Sequence, residues 1–107
     1  MVKIWGYRVE LGEIESAMLK HTNIEQCAVV KRDRADKMGE ELVAFVIPEG
    51  LSDEQKLDHT ELFKHSKAYL PHFMVPSHIY ELDSFPLNNS GKVDRLSLEK
   101  TAQEYLK

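Results

Sequence analysis

A single cysteine, Cys27, stands among the 107 residues, so no internal disulfide can staple the fold. It sits in the apolar run Cys-Ala-Val-Val and reads as a small core residue rather than a nucleophile. No apolar stretch approaches the roughly 18 residues that would suggest a membrane span. The opening segment, Met1 to Gly6, has no apolar core of a secretory signal. Basic character is also missing: 14 lysines and arginines face 18 acidic residues, for a formal net charge of -4. That balance argues against a dominant nucleic-acid surface. The five histidines, at 21, 59, 65, 72 and 78, are accompanied by too few cysteines for a zinc motif and read as surface or partly buried polar residues. A serine-hydrolase elbow is absent. Together these absences favour a cytoplasmic chain that engages neither membrane nor nucleic acid.

What is present is a soluble globular composition, 42% hydrophobic and 30% charged, over a length that suits one domain across residues 1–107. Val2 to Ile4 and Tyr7 to Val9 read as two short strands around a turn at Gly6. Leu11 to Lys20 reads as a helix, with Leu11, Ile14, Ala17 and Met18 on one face. Ile24 to Lys31 and Leu42 to Ile47 read as strands buried on both faces. The polar stretch between them, Arg32 to Glu41, reads as a solvated connection. Asp58 to Tyr69 reads as a second helix, turning Leu62, Phe63, Tyr69 and Leu70 toward the core. Pro71 and Pro76 interrupt the chain before a strand over Ser77 to Leu82, and a last helix spans Leu96 to Tyr105. The expected fold is α+β: a small mixed β-sheet covered by helices, with an N-terminal two-stranded hairpin.

Two segments could carry chemistry. In Pro86-Leu87-Asn88-Asn89-Ser90-Gly91-Lys92-Val93-Asp94-Arg95, Gly91 permits backbone angles other residues resist, and Lys92 beside it can project a compact positive charge from a loop tip. Such a charge suits an oxyanion or a phosphate. The phosphate-loop pattern is not met, because Val93 follows the lysine. Chemistry alone favours a solvated turn with an ordinary surface lysine, because Gly-Lys pairs are common. The other segment is a tight hairpin feeding the first helix. It makes Lys3, Tyr7 and Arg8 available for contact and places Trp5, Gly6 and Tyr7 together near the surface.

These segments, with a third, resemble the adenylate-forming ligase superfamily. Gly6-Tyr7-Arg8-Val9-Glu10-Leu11-Gly12-Glu13-Ile14-Glu15 is similar to the motif that opens that family's C-terminal subdomain. Leu70-Pro71-His72-Phe73-Met74-Val75-Pro76 is similar to its Leu-Pro-x-Tyr/Phe-Met-x-Pro stretch, and the Pro86-to-Arg95 segment to its final motif, which carries a catalytic lysine. The Glu-Leu-Gly-Glu-Ile-Glu wording resembles nonribosomal peptide synthetases more than acyl-CoA ligases or luciferases. Trp5 stands where the family often has arginine, and Ser90 where asparagine is common. The resemblance covers nearly the whole chain and leaves out the large N-terminal core, which holds most of the ATP and substrate pocket.

The resemblance implies a mobile C-terminal subdomain of an amino-acid-activating adenylation enzyme, of the kind used in antibiotic biosynthesis. Lys92 would stabilise acyl-adenylate formation from ATP and magnesium in the complete enzyme, supported by Gly91. After rotation, the hairpin with Gly6, Tyr7, Arg8 and Lys3 would line the approach of a carrier-protein phosphopantetheine thiol. The implied partners are the N-terminal adenylation core and a peptidyl carrier protein. No cofactor is expected tightly bound to this chain, which is expected to be inactive without its core. The alternatives are an acyl-CoA ligase subdomain and a non-catalytic carrier-protein docking module.

Overall fold

The centre of the molecule is a three-stranded sheet in the order β3-β4-β5. A computed structural model describes residues 2–4, 6–21, 23–34, 39–49 and 57–105. Among them the elements run β1 (Val2–Ile4), β2 (Tyr7–Val9), α1 (Leu11–Leu19), β3 (Ile24–Asp33), β4 (Glu40–Pro48), α2 (His59–Tyr69), a single 3₁₀ turn (His72–Met74), β5 (His78–Glu81) and α3 (Arg95–Tyr105). β3 and β4 pair antiparallel, β4 and β5 parallel, and β1 with β2 forms a separate antiparallel hairpin. The α+β reading and the mixed sheet are thus as expected. Trp5 and Gly50 lie outside the described residues.

The apolar runs become central strands because both faces of the sheet are covered. Along β4, Leu42, Ala44 and Val46 point toward α1 and α2, where they meet Ile14, Met18, Val29 and Leu62. Val43 and Phe45 point the other way and pack with Ala28, Val30, Phe85, Leu98 and Ala102 beneath α3. Alternation with period two sends successive side chains into two separate cores. All five of these β4 residues are buried. Each large apolar side chain among them contributes on the order of 1.5–3 kcal/mol.

Local chemistry sets the helix ends. Asp58 caps α2 by accepting from the Glu61 amide at 3.2 Å. Leu70, held extended before Pro71, ends it. Asp94 caps α3: its carboxylate accepts from the Ser97 amide at 3.2 Å and from the Ser97 hydroxyl at 3.0 Å. Within α2, Ser66 is fully buried, and its hydroxyl donates to the Leu62 carbonyl and contacts Met18 Sδ, both at 2.9 Å.

Three expectations are corrected. The stretch read as a solvated connection is strand at both of its ends: β3 runs to Asp33, β4 begins at Glu40, and Arg32 pairs across the ladder with Glu41. Arg32 is buried because three elements supply its partners. Its guanidinium donates to Glu41 Oε2 (Nε, 3.0 Å), the Tyr80 hydroxyl (3.0 Å) and the Ala102 carbonyl in α3 (3.0 Å). These bonds outweigh burial and hold its pKa above the ordinary arginine value. Tyr69 does not face the core but is 54% exposed. Its ring is covered instead by the Lys20 ammonium, 4.8 Å from the centroid, and by the His65 ring. His21, read as a surface or partly buried polar residue, is buried: its Nδ1 accepts from the Asn23 amide at 3.1 Å and its Nε2 lies 3.2 Å from Glu61.

Removing Glu41 would strand a buried guanidinium. Glu41→Ala should lower the unfolding free energy by about 3 kcal/mol. Arg32→Met should cost less, because the charge it leaves behind, Glu41, is less deeply buried than Arg32 and keeps His78 Nε2 3.6 Å away. Urea denaturation of both variants checks the order, and a smaller loss for Glu41→Ala would contradict it.

Candidate functional site

The two candidate loops rest on opposite faces of the sheet. Lys92 occupies a second, very short hairpin closed by a bridge between Leu87 and Val93. The Asn88 amide donates to the Lys92 carbonyl at 2.8 Å, the Gly91 amide to the Asn88 carbonyl at 3.0 Å, and the Asp94 amide to the Pro86 carbonyl at 2.8 Å. Asn88 organises the tip through its side chain as well: Oδ1 accepts from the Ser90 amide at 2.9 Å and from the Lys92 amide at 3.1 Å. This is turn chemistry that a short amide side chain performs readily. Gly91 has φ +80°, a left-handed conformation that needs glycine. Lys92 is exposed. The next residue, Val93, packs into the α3-side core with Phe85 and Leu98.

Gly6 turns the β1–β2 hairpin with φ +83°, and among the described residues a Cβ built there meets no atom within 4 Å beyond its chain neighbours. Its glycine requirement is therefore conformational, and the space above it is open. Val9 is fully buried in the α1–α2 core, whereas Tyr7 and Arg8 face outward. Tyr7 is not loose: its ring stacks on Phe73 at 4.2 Å with an 8° interplanar angle and meets the edge of His72 at 6.1 Å. The Leu70-to-Pro76 segment thus buttresses the hairpin. Lys3 enters this arrangement through its backbone register opposite Arg8.

The structure therefore groups Gly6, Tyr7 and Arg8 on one hairpin and Gly91 with Lys92 on another. Asn88, Phe73 and Asp94 support them but were not among the residues singled out by sequence. An asparagine three positions before a turn glycine was the available signal for Asn88. Cys27 is half-buried, and its thiol is pushed up to about 12, first by burial and next by the Glu15 carboxylate, against a lowering pull from Arg95. It stays protonated at neutral pH and is not a nucleophile. Among the described residues no three His, Cys, Asp or Glu side chains converge to hold a metal ion. What the Lys92 hairpin can do is present one exposed ammonium, on a hydrogen-bonded base, to an anion carried by another surface.

Residues 13–92 match the family model described as "AMP-binding enzyme C-terminal domain". Tyrocidine synthase 3 of Brevibacillus parabrevis is 41% identical over 102 residues, covering 95% of this chain and 2% of that protein. A structure of a four-domain nonribosomal peptide synthetase bound to AMP and glycine superposes with a TM-score of 0.77 at 37% identity, over 91% of this chain and 7% of that one. Apo MatB from Rhodopseudomonas palustris superposes with a TM-score of 0.86 at 26% identity, over 99% of this chain and 20% of that one. The chain spans between 1% and 4% of the length of the curated relatives it matches.

The Asn88 network generates a test of its own. Asn88→Ala should leave the Ser90 and Lys92 amides without their side-chain acceptor. The loss to stability is about 1 kcal/mol, typical of one exposed polar turn contact. Amide hydrogen exchange at Ser90 and Lys92 should accelerate while that of β4 does not, and unchanged exchange at the tip would count against the assignment.

Proposed function

Because this chain belongs to the AMP-binding enzyme C-terminal domain family, we propose that it is the mobile C-terminal subdomain of a cytoplasmic, amino-acid-activating adenylation enzyme of the nonribosomal peptide synthetase type. In the first half-reaction a carboxylate oxygen of the amino acid attacks the α-phosphorus of ATP and pyrophosphate leaves. Both reacting groups are anionic, and negative charge concentrates between them in the transition state. Lys92 is the group we assign to that charge. Its ammonium is compact, its stem is long enough to enter another domain's pocket, and its base is held by the Asn88 turn. This anchored but outward-facing lysine is the observation that carries the reading.

In the second half-reaction the thiol of a carrier-protein phosphopantetheine attacks the carbonyl carbon of the adenylate and AMP leaves. We assign the Gly6 hairpin to this state, after a rotation that withdraws Lys92. The support is the open space above Gly6, which leaves room for a narrow arm to pass the backbone. Tyr7, braced by Phe73, and Arg8 flank that passage, and Lys3 lies across from Arg8 in register. The loops rest on opposite sides of one sheet, so a rigid-body rotation can exchange one for the other without refolding. ATP, its magnesium and the amino-acid pocket belong in this reading to the N-terminal core. The carrier protein is the second partner.

In the complete enzyme, Lys92→Ala should slow amino-acid adenylation by about a hundredfold to a thousandfold. Thioester formation from a supplied adenylate should stay near the wild-type rate. A carrier-docking module without catalytic function predicts no adenylation loss, and this chain without its core should show no amino-acid-dependent pyrophosphate exchange.

Gly6→Trp should produce the opposite asymmetry, with adenylation retained and thioester formation blocked. Gly6→Ala carries the same backbone strain, about 1 kcal/mol, and serves as the control. Equal loss of both half-reactions in Gly6→Trp would mark a folding defect instead.

A further inference from the structure

The strand β3 is an edge of the sheet, and at Val29 its outward-facing backbone is met by two charged side chains from distant parts of the chain. Glu15, on α1, accepts from the Val29 amide through Oε2 at 2.8 Å. Arg95, the first residue of α3, donates to the Val29 carbonyl through Nη1 at 2.9 Å. The two side chains also join each other: Nη2 donates to Glu15 Oε1 at 2.9 Å, and Nη1 lies 2.8 Å from Oε2. One peptide edge, one carboxylate and one guanidinium thus close a ring of bonds between helices that cover opposite faces of the sheet. A forked, planar cation is suited to this double task, since it donates in two directions at once.

Arg95 is three residues from Lys92. Between them, Asp94 closes the hairpin through its amide and caps α3 through its carboxylate. The hairpin base, the helix start and the edge of β3 are therefore consecutive links, and the last link is Arg95 with Glu15. We propose that Arg95 and Glu15 are positioning residues for Lys92, fixing the base of its hairpin to β3 and α1 so that the ammonium is delivered at one orientation. This rests on the reading that Lys92 acts in adenylate formation. The pair touches no reacting atom, and its influence passes through Lys92 alone. The same pair covers an otherwise open strand edge, which explains its stability role but not its connection to the hairpin.

The test compares wild-type complete enzyme with R95M, K92A and the K92A/R95M double variant, measuring each half-reaction and amide exchange at Ser90 and Lys92. R95M is expected to lower kcat for adenylation about tenfold to a hundredfold with KM unchanged, as small misplacements of a reacting group do. Thioester formation from a supplied adenylate is expected to remain at the wild-type rate, which also reports that the preparation is folded. In the K92A background R95M is expected to cost nothing further. Glu15→Leu should reproduce R95M, and the two together should be no worse than either. An R95M enzyme that adenylates normally, or that loses as much activity without Lys92 as with it, overturns the proposal. If R95M loses both half-reactions together, Arg95→Lys is judged by the same criteria, and a kcat equal to wild type in that variant overturns the proposal as well. If K92A itself adenylates normally, the reading of Lys92 falls instead, and the clamp stands only if R95M still accelerates exchange at Ser90 and Lys92.

Discussion

A sheet of only three strands has to be buried on both sides, and that demand on β4 organises everything else. With Leu42, Ala44 and Val46 in one core and Val43 and Phe45 in the other, neither face can be left to solvent. Helices must therefore come from both ends of the chain. α1 and α2 close one side, and α3, the last element, closes the other. A strand that feeds two cores also fixes register tightly, because a slip of one residue would exchange every side chain between them.

Polar groups enter this arrangement only where several elements converge on them. Arg32 is the clearest case: one guanidinium joins β4 through Glu41, β5 through Tyr80 and α3 through Ala102. Ser66 is buried with its hydroxyl satisfied, and no buried side-chain nitrogen or oxygen among the described residues lacks a partner. Each such group makes the fold more specific, since a competing packing would have to abandon its bonds.

The same two-sided construction gives the molecule two separate working surfaces. The Gly6 hairpin is rooted by Val9 in the α1–α2 core, and the Lys92 hairpin by Val93 in the α3 core. Each tip extends beyond a firm base: Tyr7 leans on Phe73, and the Lys92 backbone hangs on Asn88. Such loops can be presented in turn by moving the whole body, with little change inside it. That is the mechanical property the proposed two-step role would use.

The residues by themselves determined the strands and helices whose signals are local. Continuous apolar runs marked β3 and β4, helical spacing marked α1, Pro71 marked the end of α2, and a glycine marked each turn. Three ordered motifs also carried the family, because motif identity survives without any knowledge of contacts. Only the tertiary structure decided the fate of residues whose environment comes from elsewhere in the chain. Arg32 read as solvated because its neighbours are polar, yet its partners at 41, 80 and 102 lie in three other elements. Tyr69 read as core because it is aromatic in a helix, yet Lys20 and His65 cover it at the surface. Asn88 looked like any loop asparagine until the hairpin brought two amides to its oxygen. Glu15 and Arg95, 80 residues apart in the chain, became a pair only because two helices on opposite faces of one sheet meet at the same strand edge.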